Sequence, residues 1–263
     1  MLLTDSLIDQ IHTFRLEMMS RSVDAIKAVH PDAAGLAIGG GYAKFAGDGS
    51  PLTQVYGLGH RGSHYDLGEV DDFYRGLATN WELIVTPFAS PTLLPEAAKD
   101  GYIPDHFESV LAQVVERPLV EMTPGVEIEE AVDDLTVWMQ VSDAAWSGSE
   151  ELAQDLSDLA RIMTAYPSRR YLASLNGEPA AIAAMVSIGD MHMFAGAATR
   201  PQFRGQGLQQ ALTQRRLADA GEGSFVQVVA LPGSQSHRNL QRVGFQPLYS
   251  KLVMYRNPIV SAA

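Results

Sequence analysis

The stretch Ala195-Gly-Ala-Ala-Thr199-Arg-Pro-Gln-Phe-Arg204-Gly-Gln-Gly207-Leu-Gln-Gln-Ala-Leu212 decides the fold. It begins with small residues typical of a closely packed strand, passes through a proline turn and a glycine-spaced loop, and ends in an apolar pattern of helical spacing. That spacing predicts a helix that begins near Gly207. The loop then presents backbone N–H groups without internal partners at the positive end of a helix dipole, which is typical of a diphosphate or other anion site.

The same loop matches a family pattern. It resembles the acyl-CoA loop of the GCN5-related N-acetyltransferases, in which x-Pro-x-x-Arg-Gly-x-Gly is followed by an apolar residue and a helix. The matching residues are Pro201, Arg204, Gly205, Gly207 and Leu208. Gln209 departs from the pattern, because the family usually has glycine or alanine there. The other interpretation is an ordinary helix N-terminus after a tight turn, with Arg204 solvated.

The order of predicted elements in the second half agrees with this resemblance. A strand at 126–128 is followed by two helices, at 135–146 and 152–163, and by a hairpin around Asn176-Gly177. The remaining patterns predict strands at 170–175, 180–188, 191–199, 225–231 and 248–255, and a helix at 236–242. The resemblance covers about residues 126–257 and implies a mixed, mostly antiparallel sheet flanked by helices.

The first half resembles a second copy of the same fold. Gly101-Tyr-Ile-Pro104 and Gly244-Phe-Gln-Pro247 share a glycine–aromatic–x–proline signature, 143 residues apart, and each follows a strand, a loop and a helix. Subtracting the same offset from the numbers of the loop Arg204-Gly-Gln-Gly207 gives Arg61-Gly-Ser-His64, which has histidine in place of the second glycine. We therefore expect an α/β (α+β) protein of two tandem domains, a degenerate copy in residues 1–120 and an acetyl-CoA-binding domain in residues 126–263.

The other patterns of the first half fit such a copy. They predict a helix or helix pair over residues 2–29, which His30-Pro31 ends. Strands are predicted at 36–38, 42–45, 53–56, 81–85 and 107–115, with helices at 70–77 and 93–99. Residues 121–125 have the composition of a domain linker.

Bulk composition restricts the function classes. The net charge of −12 argues against nucleic acid as a partner and is compatible with a cationic amine substrate. No apolar run approaches the ~20 residues that span a bilayer, and the first residues lack a basic leader, so we expect neither a membrane partner nor a signal peptide. The absence of cysteine excludes disulfides and thiolate chemistry and fits a cytoplasmic location.

The resemblance implies an N-acetyltransferase that uses acetyl-CoA as co-substrate and acetylates the primary amine of a small molecule. Backbone groups of Ala197, Ala198 and Thr199 would pair with the pantetheine arm. The diphosphate would be bound by N–H groups of Arg204, Gly205, Gln206, Gly207, Leu208 and Gln209. Asn239 would bond the pantetheine amides or simply lie on a helix surface. The first half would shape the acceptor site or serve as a scaffold.

The residues that transfer protons are less well determined. The family often has a tyrosine four residues before the Gly–Phe pair, and that position is Leu240 here. His192, Ser236 and Tyr249 are candidates, although a lone histidine in a strand is more often structural. Asp190 and Glu178, at strand ends, are also possible as the base. The seven histidines show no ligand spacing, so we expect no metal site.

Two other function classes stay open. Leu240 and Gln209 favour a non-catalytic acyl-CoA-binding or interaction module. Gly57-Leu-Gly-His-Arg-Gly62 satisfies the GxGxxG pattern of dinucleotide-binding oxidoreductases. Against that class, two chain-breaking residues follow the motif, and the required acidic residue would be Glu82 at a strand edge. The sequence also leaves open whether the chain forms a homodimer.

Overall fold

The structure is a computed structural model that describes residues 3–77, 80–116, 123–132, 135–146, 161–162 and 166–256. Contacts between residues divide the chain into two compact units. The C-terminal unit is Val110–Leu248, and the N-terminal unit is Leu2–Ser109 together with Tyr249–Ala263. The last strand of the chain thus contributes mainly to the N-terminal unit. The division into domains at residues 1–120 and 126–263 stays a prediction.

The elements follow one another much as the patterns predict. In chain order the described helices and strands are α1 (Asp5–Lys27), β1 (Ala34–Ile38), β2 (Gly41–Phe45), β3 (Gln54–Tyr56), α2 (Leu67–Arg75), β4 (Trp81–Val85), α3 (Leu93–Lys99), β5 (Ile103–Val114), β6 (Val126–Glu130), α4 (Thr136–Trp146), β7 (Arg169–Leu175), β8 (Glu178–Ile188), β9 (Met191–Thr199), α5 (Leu208–Ala220), β10 (Phe225–Ala230), α6 (Gln235–Arg242) and β11 (Gln246–Arg256). The helix predicted at 152–163 lies outside the described residues, apart from Arg161 and Ile162, which are helical.

Two predicted elements differ in extent from those observed. The helix or helix pair predicted at 2–29 is one helix of 23 residues, because the Thr4 hydroxyl caps its first turn and no breaker interrupts it before His30. β5 begins at Ile103 rather than at Phe107. Its first residues are mostly exposed, so they lack the apolar alternation that marks a strand in a sequence.

The N-terminal unit is built on a mixed sheet in the order β1-β2-β3-β4-β11. Neighbouring strands are antiparallel except β3 and β4, which are parallel. One face packs with α2 and α3, where the rings of Tyr74 and Trp81 stack with centroids 4.7 Å apart. On the other face Met19 of α1 packs with Tyr56 and Ile84. Trp81 and Ile84, three positions apart in β4, thus enter different cores, because successive side chains of a strand point to opposite faces of the sheet.

The C-terminal unit is built on a second mixed sheet, in which β6, β7, β8, β9 and β10 are neighbours in that order. These strands are antiparallel except β9 and β10, which are parallel. Leu212 of α5 and Leu240 of α6 pack on one face with Phe194. Trp138 of α4 packs on the other face with Ile182 and neighbouring residues.

The two halves of the sequence repeat one order of elements. Each half contains a parallel strand pair joined through a helix, followed by a second helix and a further strand. Moving α6 back by the predicted offset of 143 residues gives 92–99, and α3 is Leu93–Lys99. The same shift places β11 on 103–113, and β5 is Ile103–Val114. The signature that both copies share therefore lies at the same point of two similar folds.

A buried lysine makes the stability of the N-terminal unit depend on pH. Lys44 is 4% exposed, and its ammonium donates a hydrogen bond to the Ser22 hydroxyl at 3.2 Å. Burial, together with the nearby Arg15 guanidinium, lowers the pKa of Lys44 to about 7. The unfolded chain, with its ordinary lysine pKa, therefore binds more protons above pH 7, and raising the pH through this range stabilises the fold.

We expect Lys44→Met to be more stable than the wild type at pH 7, because methionine fills similar space without the cost of burying a charge. The difference in free energy of unfolding between the two proteins should be smaller at pH 9 than at pH 7, by on the order of 1–3 kcal/mol, because the wild-type lysine is then largely neutral. Urea unfolding of both proteins at the two pH values measures it. A stability difference that is the same at pH 7 and pH 9 would contradict the lowered pKa of Lys44.

A second prediction concerns the ion pair between β11 and α2. The Arg256 guanidinium contacts both carboxylate oxygens of Asp71 at 2.6 Å, and the two side chains are 15% and 12% exposed. Arg256→Met should lower the free energy of unfolding by about 3 kcal/mol, because it leaves a buried carboxylate without its partner. The control is Arg75→Met, which removes the exposed pair with Asp72 and should cost less than about 1 kcal/mol. Equal losses in urea titrations would refute this.

Candidate functional site

The loop before α5 ends in a left-handed helix start. A short 3₁₀ turn at Pro201–Phe203 leads through Arg204 into Gly205 and Gly207, both with φ of +78°. Gly207 occupies the N-cap position and offers no side chain to cap the helix. Only glycine adopts this backbone conformation without strain. The helix N-terminus predicted at Gly207 is therefore present, and its first N–H groups have no side-chain acceptor in the part of the chain that the structure describes.

Open space lies beside this helix start. A Cβ atom built on Gly205 would meet nothing within 4 Å, and one on Gly207 would approach only the Thr123 methyl, at 4.0 Å. The two glycines are thus not required by packing against the rest of the unit. What they provide is room next to exposed N–H groups, which is what a diphosphate needs.

The Arg204 side chain is occupied by the protein. Its Nε donates to the Thr199 carbonyl at 3.3 Å, and its Nη2 donates to the Ala145 carbonyl at 2.9 Å near the end of α4. The guanidinium therefore connects the loop to β9 and to a helix C-terminus, where a cation is favourable. In this structure Arg204 positions the loop, and the anion would be bound by backbone groups.

The strands β9 and β10 part at one end. Their parallel pairing runs from Met191↔Phe225 to Phe194↔Val228 and then stops, although β9 continues to Thr199. We call the opening beyond the last pair the strand cleft. A β-bulge at Gly196, with φ of +57°, places two residues of β9 opposite Ala183 of β8. Bulges of this kind turn a strand away from its neighbour.

Only part of the predicted strand edge faces the cleft. The Arg200 N–H donates to the Ala180 carbonyl of β8 at 2.9 Å, so Arg200 and, by alternation, Ala198 point their backbone groups towards β8. The Ala197 carbonyl and the Thr199 N–H, which share peptide planes with Ala198, point to the opposite side, and so does the Thr199 carbonyl, which accepts from the Arg204 Nε. Of the three residues predicted to pair with pantetheine, Ala198 thus directs its backbone to β8, whereas the Ala197 carbonyl and the Thr199 N–H face the cleft.

Gln209, the departure from the family pattern, holds the end of β9. Its Nε2 lies 2.9 Å from the Ala198 carbonyl, 3.0 Å from the Thr199 hydroxyl and 3.3 Å from the Ile182 carbonyl. A glycine or alanine could make none of these contacts. The sequence showed that residue 209 was unusual, but these acceptors are brought to it only by the fold.

The structure does not bring the three predicted proton-transfer residues together. His192 lies in the paired part of β9 with Nδ1 2.8 Å from the Ser187 hydroxyl, and its buried Nε2 has no partner among the described residues. Burial lowers the pKa of His192, so the ring is neutral at pH 7. Ser236 is exposed on α6. Tyr249 belongs to the N-terminal unit, where burial raises its pKa and it contacts Phe88.

The position of the family tyrosine is filled by core packing. Leu240 is 7% exposed and packs with Phe245 in the core beneath α6. No hydroxyl is therefore available at this point of the helix. Asn239 beside it is exposed, and its Oδ1 accepts hydrogen bonds from Gln235 and Arg242, both at 2.7 Å.

In the N-terminal unit the corresponding helix start is closed by an acidic residue of the chain. Asp66 is the N-cap of α2, and its carboxylate accepts the Gly68 N–H at 2.8 Å. Arg61, which corresponds to Arg204, bonds Asp5 at 3.2 Å. Gly62, with φ of +80°, matches Gly205 in conformation. The carboxylate already occupies the position that an anion would take.

The strand cleft is also closed in that unit. Beyond β3 the Arg61 N–H donates to the Phe88 carbonyl at 2.8 Å, and the Ser90 N–H donates to the Gly59 carbonyl at 2.7 Å. The GxGxxG motif at 57–62 therefore forms backbone bonds with the segment after β4, and α2 begins five residues later, at Leu67. A dinucleotide fingerprint would open directly into its helix.

In the described part of the chain, no group of three or more histidine or acidic side chains is arranged to hold a metal ion. None of the described helices is both long and apolar enough to cross a bilayer.

Comparison with known proteins identifies the fold. No protein-family model matches the chain, and no curated protein matches it significantly. A GCN5-related N-acetyltransferase from Kribbella flavida is 16% identical over 91% of this chain and 94% of its own, with a TM-score of 0.64. A functionally unknown conserved protein from Staphylococcus epidermidis is 13% identical over 89% of this chain and 98% of its own, with a TM-score of 0.62.

A third structure shares the duplicated arrangement. A tandem GNAT protein from the clavulanic acid biosynthesis pathway is 14% identical over 94% of both chains, with a TM-score of 0.57. At such identities the likeness concerns the fold alone. The chain has the fold of a tandem GCN5-related N-acetyltransferase, and the resemblance found in the sequence is confirmed at that level.

The contacts of Gln209 lead to a prediction about local stability. Gln209→Ala removes the hydrogen bonds at the end of β9, so backbone amides in residues 195–200 should exchange with solvent faster, by an amount that corresponds to about 1–2 kcal/mol. Hydrogen exchange followed by mass spectrometry measures this. Gln210→Ala, at an exposed neighbouring position, should leave the exchange unchanged. Equal protection in Gln209→Ala and the wild type would show that the contacts do not hold the strand.

Proposed function

We propose that the C-terminal unit binds acetyl-CoA and transfers its acetyl group to the primary amine of a small molecule. One observation carries the proposal. An uncapped helix start and the strand cleft occur together at the end of β9, whereas the N-terminal unit closes both features with its own atoms. On this proposal each chain binds one coenzyme, in a cytoplasmic location where acetyl-CoA is available.

The backbone of the loop fits the diphosphate of the coenzyme. The N–H groups from Gly205 to Gln209 would bind it, since the helix dipole and the room beside both glycines favour an anion there. The Ala197 carbonyl and the Thr199 N–H would pair with the amides of the pantetheine arm, as an added strand does. Gln209 and Arg204 would keep that edge in place.

The coenzyme supplies an acetyl group activated as a thioester. In the transfer a bond forms between the amine nitrogen and the carbonyl carbon, the C–S bond breaks with its electron pair passing to sulfur, and the amine loses one proton. Burial lowers the pKa of His192, and its Nε2 has no hydrogen-bond partner within the described ranges, so it is the base candidate that we retain. Because Leu240 offers no hydroxyl, the thiolate would be protonated by solvent or by another donor.

The alternative function is acyl-CoA binding without catalysis. Leu240 in place of the family tyrosine, and a side chain at Gln209 that bonds the strand end, favour a non-catalytic acyl-CoA-binding module. The two functions share the coenzyme site and differ only in turnover. An assay of free thiol release from acetyl-CoA against a panel of small primary amines separates them. Tight coenzyme binding without amine-dependent release would support the binding module.

The coenzyme site is tested by a matched pair of glycine variants. Gly207→Ala places a methyl group beside the anion site, so we expect the affinity for CoA, measured by isothermal titration calorimetry, to fall at least about tenfold. Gly62→Ala in the N-terminal unit is the control, because Gly62 has φ of +80° and equally open surroundings. Both variants carry a backbone cost of about 1 kcal/mol, so their stabilities should match.

Two results would contradict the coenzyme site. One is CoA binding by Gly207→Ala with wild-type affinity. The other is loss of binding in Gly62→Ala at unchanged stability, which would move the coenzyme to the N-terminal unit.

A further inference from the structure

Gln227 is a buried polar residue in the middle of β10. Its side chain is 2% exposed, and its Nε2 has no hydrogen-bond acceptor among the described residues. The neighbouring residues Val226 and Val228 pack in the core beneath α5 and α6. Because side chains alternate along a strand, Gln227 points to the opposite face of the sheet, the face on which α4 packs.

A buried amide without an acceptor is costly. An unpaired N–H₂ group loses its hydrogen bonds to water on burial and gains none in return. The strand Phe225-Val-Gln-Val-Val-Ala230 is otherwise apolar, and a leucine or methionine would fill position 227 without that cost. The chain therefore keeps a hydrogen-bond donor at a place where the described residues offer nothing to receive it.

Gln227 lies next to the point where the strands part. It is in register with Met193, and Phe194↔Val228 is the last pair before the strand cleft. We call this last pair the apex of the strand cleft. Gln227 lies one strand residue, about 3.3 Å, from the apex. The edge of the cleft follows β9 from the apex to Thr199. The anion site at the start of α5 lies beyond Thr199, at the end of the edge that is far from the apex. An extended arm that starts at the anion site and follows Thr199 and Ala197 inwards would bring its far end towards the apex.

We propose that the Gln227 side-chain N–H₂ donates a hydrogen bond to the carbonyl oxygen of the acyl thioester at the apex of the strand cleft. The inference rests on the proposed function, because it requires acyl-CoA in that cleft. Negative charge develops on this oxygen when the amine attacks, so a donor fixed beside it stabilises the transition state more than the ground state. Gln227 then becomes a catalytic residue that none of the sequence motifs indicates.

Another glutamine of the same unit provides a matched control. Gln113 of β5 also has a buried Nε2 without an acceptor among the described residues. Its side chain lies on the other face of the sheet, where its Oε1 is 3.0 Å from the position that a Cβ on Gly244 would take. Gln113→Met and Gln227→Met remove the same chemical group from neighbouring strands, and only Gln227 is adjacent to the apex.

The test does not depend on turnover. Acetyl-CoA labelled with ¹³C at the thioester carbonyl is bound to the wild type, Gln227→Met and Gln113→Met, and its carbonyl stretch is recorded by isotope-edited infrared spectroscopy. We expect the stretch to be lowered on binding to the wild type and to Gln113→Met, and to return towards the free value in Gln227→Met. With an active amine, Gln227→Met should lower kcat about 100-fold with KM for acetyl-CoA unchanged.

The outcomes separate this inference from the proposed function. If labelled acetyl-CoA binds to the wild type but its stretch is unshifted, or is shifted equally in Gln227→Met, the role of Gln227 is refuted and the coenzyme site stands. If acetyl-CoA does not bind to the wild type, both proposals fail. Urea unfolding of the three proteins checks the fold, and Gln227→Met should be at least as stable as the wild type, since it removes an unpaired donor.

Discussion

The first turn of an α-helix leaves N–H groups that the helix itself cannot satisfy, and the candidate site depends on how each unit deals with them. In the N-terminal unit the Asp66 carboxylate accepts one of these bonds at the start of α2. In the C-terminal unit the cap is Gly207, which has no side chain. A helix start that carries its own carboxylate disfavours a second anion, whereas the bare one attracts it. One residue at each cap thus distinguishes two otherwise similar folds.

The parting of the parallel strands adds the second constraint. Backbone groups at an unpaired strand edge need partners, and proteins usually cover such edges. In the N-terminal unit, backbone bonds between the 59–61 and 88–90 segments perform this task. In the C-terminal unit the bulge at Gly196 directs β9 away from β10, and the Ala197 carbonyl and the Thr199 N–H face the opening between the strands. The free edge begins beside the bare helix cap, so a single extended ligand could satisfy both.

The departures from the family pattern act on this same strand end. Gln209 bonds the carbonyls and hydroxyl around the bulge, and Arg204 bonds the last carbonyl of β9. Both side chains stabilise the edge, so an anion at the start of α5 would be bound by backbone groups. Leu240 enters the core and withdraws the hydroxyl that the family uses. Catalysis in this chain would therefore depend on groups at the cleft apex, where Gln227 lies one residue from the last strand pair.

The sequence by itself determined the local features. Glycine spacing and apolar periodicity located the helix start at Gly207, and the repeated Gly–aromatic–x–Pro signature revealed the tandem fold, because turns, helix starts and strand alternation depend on nearby residues. Only the tertiary structure showed that Ala198 faces β8, that Gln209 bonds the strand end and that Gln227 finds no acceptor in the described part of the chain. Those facts depend on strand register and on partners from distant elements, which short-range patterns do not encode.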